Sequence, residues 1–193
     1  MTTLDKEQFA GMREELATYD NARDELIKQS RSLLKDAKHA VYLVHQGEVG
    51  KAQELLHVLK TAHVSVEKEF SEVFVLESIG PYAEAIEEYV EAACFVAFAN
   101  GDQIPTRDEL HVPAEQYLCG LSDLTGELAR RAVFLATKRD KQQVTNIHEF
   151  IQALQGELVQ FHLRNGLLRK KYDSIKYNLK KVEETLYDLE LRA

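Results

Sequence analysis

Glu84, Glu87, Glu88 and Glu91 stand in the opening turns of a stretch, EEYVEAACFVAF at residues 87–98, that then becomes almost wholly apolar. Acids near a helix N-terminus complement the partial positive charge of its free N–H groups, so dipole compensation on a solvated face is one account of them. A metal site is the other. Glu88 and Glu91 are three apart and share a helix face, with Glu84 a turn earlier on the same stripe. In SDLTGELARR, residues 122–131, Asp123 and Glu127 are four apart and also share a face. Like charges at that spacing repel by a few tenths of a kcal/mol, so something else has to justify them. Gly126 between them costs about 1 kcal/mol relative to Ala in a helix interior, which is tolerable where another backbone or a substrate approaches closely. Two acidic pairs, each beside small residues (Ala92, Ala93, Gly120, Gly126), converge if their helices pack, and four carboxylates around one point require a cation. Hard oxygen ligands of that kind suit Mg2+ or Mn2+. The competing account makes Ser122 or Asp123 the N-cap of a helix that begins after Gly120, and spacing leaves both open.

The basic residues are patterned too. Lys28, Arg31, Lys35 and Lys38 recur at steps of three, four and three and form one stripe, beside an apolar stripe of Ile27, Leu34, Val41 and Val44. A charged stripe is ordinarily a wet face. Only one acid, Asp36, lies between residues 26 and 47, however, and this local basic excess in an acidic chain points to phosphate contact. A second cluster, Arg164, Arg169, Lys170 and Lys171, precedes YDSIKYNLKKVEETLYDLELR, where the aromatic and aliphatic positions fit helix packing better than base stacking. The seven histidines show no HExxH and no paired spacing, which speaks against zinc, and no Gly-rich phosphate loop or nucleophile elbow occurs. Catalysis, if present, falls to carboxylates.

The elements that must position these groups are helices. Three prolines, nine glycines and no tryptophan in 193 residues, with Ala, Leu, Glu and Lys prominent, make an all-α composition, long enough for one core and short for two. Periodicity predicts helices over about 5–46, with a break at YDNAR where Asp20 and Asn21 can cap a new segment, and over about 50–75, 82–99, 114–138 (interrupted by Gly120 and Gly126), 146–163 and 168–191. The polar stretch NGDQIPTRDELHVP is the longest connector and the place for an insertion or a mobile loop. No internal repeat or linker divides residues 1–193, so six or seven helices in a single-domain bundle are expected.

A net charge of −8 argues against coating nucleic acid with the whole surface. Cys94 and Cys119 lie among apolar neighbours without CxxC spacing and read as reduced, buried thiols. The N-terminal MTTLDKEQFAGMREEL lacks the apolar core of a secretory signal, and no run reaches the roughly 18 apolar residues of a membrane span, so a soluble, cytoplasmic protein without membrane contact is expected.

Two long segments resemble a known family. LRKKYDSIKYNLKKVEETLYDLELR is similar to the C-terminal helix of the translin family, and ARDELIKQSRSLLKDAKHAVYLVHQ to its first long helix. EEYVEAACF and YLCGLSDLTGELARR resemble the acidic helix and the most diagnostic segment of the family's factor X branch, here with Asp123, Glu127 and Arg130 in place. The resemblance runs from about residue 20 onward. It implies a helical fold, assembly into a closed barrel of eight chains, binding of RNA or single-stranded DNA, and Mg2+-dependent endoribonuclease activity, with Mn2+ able to substitute. Carried over by position, it makes Glu88, Glu91 and Asp123 the catalytic acids and Glu127 a further metal ligand; beside it, the patterned stripe of Lys28, Arg31, Lys35 and Lys38 reads as the nucleic-acid path, and Arg130, one turn beyond Glu127, as a phosphate contact. The chain departs from both branches by joining a translin-like tail to a factor-X-like acidic set, and its connector at 100–113 is short. That combination implies one polypeptide serving both roles as a homo-oligomer. Two alternatives stand beside this reading: a nucleic-acid-binding oligomer without catalysis, and a helical scaffold that never meets nucleic acid.

Overall fold

A computed structural model describes residues 4–191; residues 1–3, part of the stretch read above for a leader, and 192–193 lie outside it. Seven helices occur among the described residues: α1 (Lys6–His45), α2 (Val49–Phe70), α3 (Gly80–Asn100), the single turn α4 (Arg107–Leu110), α5 (Ala114–Thr137), α6 (Lys141–Leu158) and α7 (Leu167–Leu191), with a 3-10 turn at Leu76–Ser78. The all-α expectation holds. None of these helices is long and apolar enough to cross a membrane.

The break expected at YDNAR is absent. Asp5 caps α1 instead, its carboxylate accepting from the Glu7 and Gln8 N–H groups, and the helix continues for 40 residues, about 60 Å. A residue able to cap starts a helix only where the chain before it stops being helical, and GMREELAT upstream is made largely of good helix formers. Only the C-terminal half of α1 is packed. Leu26, Leu33, Ala37, Ala40, Val41 and Val44 are buried, whereas the residues from Lys6 to Asn21 are exposed.

α3 is the central helix, enclosed by α1, α2 and α5, and it is apolar nearly all round. It ends at Gly101, whose φ of +79° is the left-handed cap that glycine adopts without strain. The connector after it is not an open loop. Thr106 and Glu109 form a capping box around α4, the Tyr117 hydroxyl donates to the Pro105 carbonyl at 2.8 Å, and buried His63 of α2 donates through Nε2 to the His111 carbonyl at 2.9 Å. α6 begins at Lys141 rather than near 146, because Asp140 supplies its cap by accepting from the Gln143 N–H. Both cysteines are buried and free.

α5 runs unbroken through Gly120 and Gly126, so Ser122 and Asp123 lie in mid-helix and the N-cap account of them is wrong; Pro113 stands at the N-cap. The two glycines differ. A Cβ on Gly120 would fall 2.6 Å from the Glu87 carbonyl oxygen and 2.7 Å from Val90 Cβ, whereas one on Gly126 would meet only Asn178 Nδ2, at 3.8 Å. Gly120 therefore marks the point where α5 presses on α3, and one turn further along α5 stands Asp123. On the other side of α5, the Asn178 amide of α7 donates to Thr125 Oγ1 at 2.8 Å and fixes the register of the last helix.

Candidate functional site

The close approach at Gly120 brings the two acidic pairs to one place. Glu91 is buried at 7% exposure in the middle of α3, and Glu88, one turn earlier, is half-buried. A concavity of about 260 Å3 is lined by Lys38, Val41, Tyr42, His45, Glu88, Glu91, Glu127 and Arg130, contributed by α1, α3 and α5. The Glu91 carboxyl is pushed up to about 8, first by burial and then by the negative charges of Glu88, Asp123 and Glu127, with Lys171 acting the other way. Three more carboxylates thus stand near enough to make ionisation of Glu91 costly. Glu88 is also raised, mainly by burial, although Lys38 opposes this. Glu84 is exposed and takes no part.

Each remaining acid has a basic partner. Lys38 Nζ forms an ion pair with Glu88 Oε1 at 3.3 Å, which ties the end of the basic stripe to the acidic centre. His45 Nε2 donates to Glu127 Oε2, its ring held against Phe95 at 5.0 Å between centroids. This hydrogen bond lowers the Glu127 pKa in spite of partial burial, and Arg130, largely exposed at the rim, stands 3.7 Å away. Lys171 reaches in from α7, donating to Glu87 Oε2 at 2.7 Å and to Asp123 Oδ2. Burial alone would lower the ammonium pKa, but Asp123 and Glu87 outweigh it and hold Lys171 firmly charged.

The structure therefore lines one concavity with Glu88, Glu91, Glu127, Lys38 and Arg130, places Asp123 beside it on Lys171, and leaves Lys28, Arg31 and Lys35 exposed along α1, leading away from the concavity. Lys28 is paired with Glu25 at 3.1 Å. Sequence reasoning missed His45 and Tyr42 and named Lys171 only within a second basic cluster, not among the acids, and a signal existed for each. Tyr42 and His45 continue the steps of three and four beyond Lys38. Lys171 sits one turn before Ile175, at the head of the buried stripe of α7.

Among the described residues no three His, Cys, Asp or Glu side chains already form a set able to hold a metal ion; Asp123 is turned to Lys171 and Glu127 to His45. The donor set is of the kind a hard divalent cation takes: Glu88, Glu91 and Glu127 share one concavity, and Asp123 is near enough for its charge to act on buried Glu91.

A long-helix bundle with an acidic centre under a basic rim defines a helical class for which relatives are known. Residues 21–193 match the model of the Translin family, and the chain belongs to that family. Human translin (Homo sapiens) is 29% identical over 212 residues, covering 97% of this chain and 93% of translin. Translin-associated protein X of Pongo abelii is 22% identical, covering 96% and 78% respectively. Among solved structures, apo-NeC3PO superposes with a TM-score of 0.86 at 21% identity, covering 98% of this chain and all of that one. AfC3PO in complex with duplex RNA superposes with a TM-score of 0.82 at 22% identity, covering 96% and 97%. At these identities the structural likeness shows the fold.

Proposed function

We propose that the chain is an RNA-binding, divalent-cation-dependent endoribonuclease, acting as a homo-oligomer with Mg2+ or Mn2+ held at the acidic centre. The observation that carries this reading is buried Glu91, ringed by the charges of Glu88, Asp123 and Glu127 and opening toward Lys38 and Arg130. The duplex-RNA complex of AfC3PO supports RNA as the ligand class.

Glu88, Glu91 and Asp123, with Glu127, would hold the cation. When bound, such an ion stabilises charge on the phosphoryl oxygens and acidifies water. The chain's own residues do the rest. Arg130 and Lys38 meet a phosphate at the rim, and Lys28, Arg31 and Lys35 extend that contact along α1. His45 fixes the direction of Glu127 through its hydrogen bond, as outer partners do for ligating carboxylates. The decisive experiment incubates labelled single-stranded and duplex RNA with the purified chain, with and without Mg2+ or Mn2+. Fragments that appear only with the cation support the reading; intact RNA under both conditions removes it.

One observation favours a second reading. Asp123 and Glu127 are each already satisfied by a basic group of the chain itself. A binder of single-stranded RNA or DNA without catalysis would use its acids in that way, and it would shift labelled RNA in a salt-dependent manner without cutting it.

A further inference from the structure

Lys171 has no part in holding a cation, yet it stands inside the cluster that would hold one. Its ammonium is shared between a carboxylate of α3 and one of α5. The two are not equivalent. The Glu87 side chain is 6% exposed, while Asp123 keeps 32% of its side chain in contact with solvent. Among the described residues, Lys171 is the cation paired with Glu87, and a carboxylate that deep has no water to replace it. Glu87 is thus the anchor and Asp123 the movable partner. With the ammonium in place, Asp123 is absent from the walls of the concavity that Glu88, Glu91 and Glu127 line. Nor can Lys171 withdraw with its helix, because two turns further along α7 the Asn178–Thr125 hydrogen bond holds the register.

We propose that Lys171 is a positioning residue that competes with the divalent cation for Asp123. Anchored by Glu87, it holds Asp123 aside in the metal-free chain and keeps the affinity of the acidic centre for the ion low. The inference rests on the metal-binding reading given above. Its physics is that a fixed positive charge beside a cation site opposes a second positive charge, all the more so where water is scarce. Glu87 and Lys171 cancel in charge. Removing both leaves the four other carboxylates with unchanged net charge and frees Asp123; removing Lys171 alone also adds one negative charge.

The test is an Mn2+ titration of the metal-stripped full-length chain, with free Mn2+ read by electron paramagnetic resonance. It compares wild type, Lys171→Met and Glu87→Gln/Lys171→Met. The double variant removes the charge of Glu87 together with that of its partner and keeps the test open if the single variant fails to fold. Expected is Mn2+ binding about tenfold tighter or more in Lys171→Met, and tighter than wild type in the double variant. A residue that only ties helices together would lower thermal stability and leave Mn2+ affinity alone. Wild type that binds Mn2+ and folded variants that bind it no more tightly would overturn this inference and leave the metal site standing. Absence of Mn2+ binding in all forms would remove the metal site and the inference together.

Discussion

Glu91 is placed where its own charge is costly. Its folded-state carboxyl holds a proton up to about pH 8, whereas in the unfolded chain it ionises near the ordinary 4.5. Between those values the folded state binds the extra proton, so this group's contribution to stability is complete below about 4.5 and is lost as pH rises toward 8. In chelator-treated protein, urea midpoints should therefore fall over that window in wild type and fall less in Glu91→Gln; parallel profiles would mean that Glu91 is not the group responsible. The same substitution, or Asp123→Asn, should abolish cation-dependent cleavage while single-stranded RNA binding stays within a few-fold of wild type, because each removes a ligand's charge and little volume. Cleavage at the wild-type rate in either variant, measured on a labelled substrate, would reassign the site. The acids were legible as pairs from spacing alone, since like charges on one face need a reason. Their basic partners were not. His45 lies 82 residues from Glu127, and Lys171 lies 48 from Asp123 and 84 from Glu87, distances over which helical periodicity carries no information.

At the scale of elements, the acidic centre depends on one close helix crossing. Gly120→Ala gains helix propensity of about 1 kcal/mol, but its Cβ meets a backbone carbonyl and a β-branched side chain, neither of which can turn away. Overpacking should win, giving a net loss of about 1–3 kcal/mol in urea unfolding, and the forced separation of α3 and α5 should reduce cleavage although every carboxylate remains. Gly126→Ala has ordinary contact distance and should stabilise the chain by about 0.5–1 kcal/mol. Equal effects at the two positions would contradict the packing described. On α1, Lys35 and Lys38 are both exposed, and changing them together to Ala should lower the slope of log affinity for single-stranded RNA against log salt by about 0.7 per lost contact. An unchanged slope would return the stripe to simple solvation. The six long helices were legible because they rest on local periodicity, whereas α4, inside the expected connector, was not, and α2 and α6 end at Phe70 and Leu158 rather than near 75 and 163. The continuity of α1 and the different tasks of the two glycines were not legible either, because a cap acts only where the preceding chain unwinds, and a close approach is made by a partner far away in sequence.

For the whole molecule, the apolar surface left uncovered is the telling quantity. Ile175, Leu179 and Val182 bury one stripe of α7 against the bundle, while Tyr177 and Tyr187 remain 66% and 64% exposed off that line. The free half of α1 presents Phe9, Met12 and Leu16 at steps of three and four on a single face, which runs into Tyr19 where its ring packs edge-on against Phe74. Two elements thus carry apolar residues beyond what this bundle buries, which is the pattern of a surface meant for another chain. Self-assembly into a closed barrel, eight chains by family resemblance, would cover these faces. It would also reconcile a net charge of −8 with an exposed basic stripe, since an acidic exterior can coexist with a basic lumen that holds RNA against carboxylates reached from within. Light scattering at micromolar concentration should give a mass of several chains, near eight. Tyr177→Glu/Tyr187→Glu should lower it, because charges placed in a desolvated contact find no partner there. A one-chain mass for the wild type would rule out the barrel and leave Lys28, Arg31 and Lys35 without a lumen to line. An unchanged large mass in the double variant would move the interface away from α7 and toward the free half of α1, where Phe9→Glu/Leu16→Glu is then the substitution that should dissociate it.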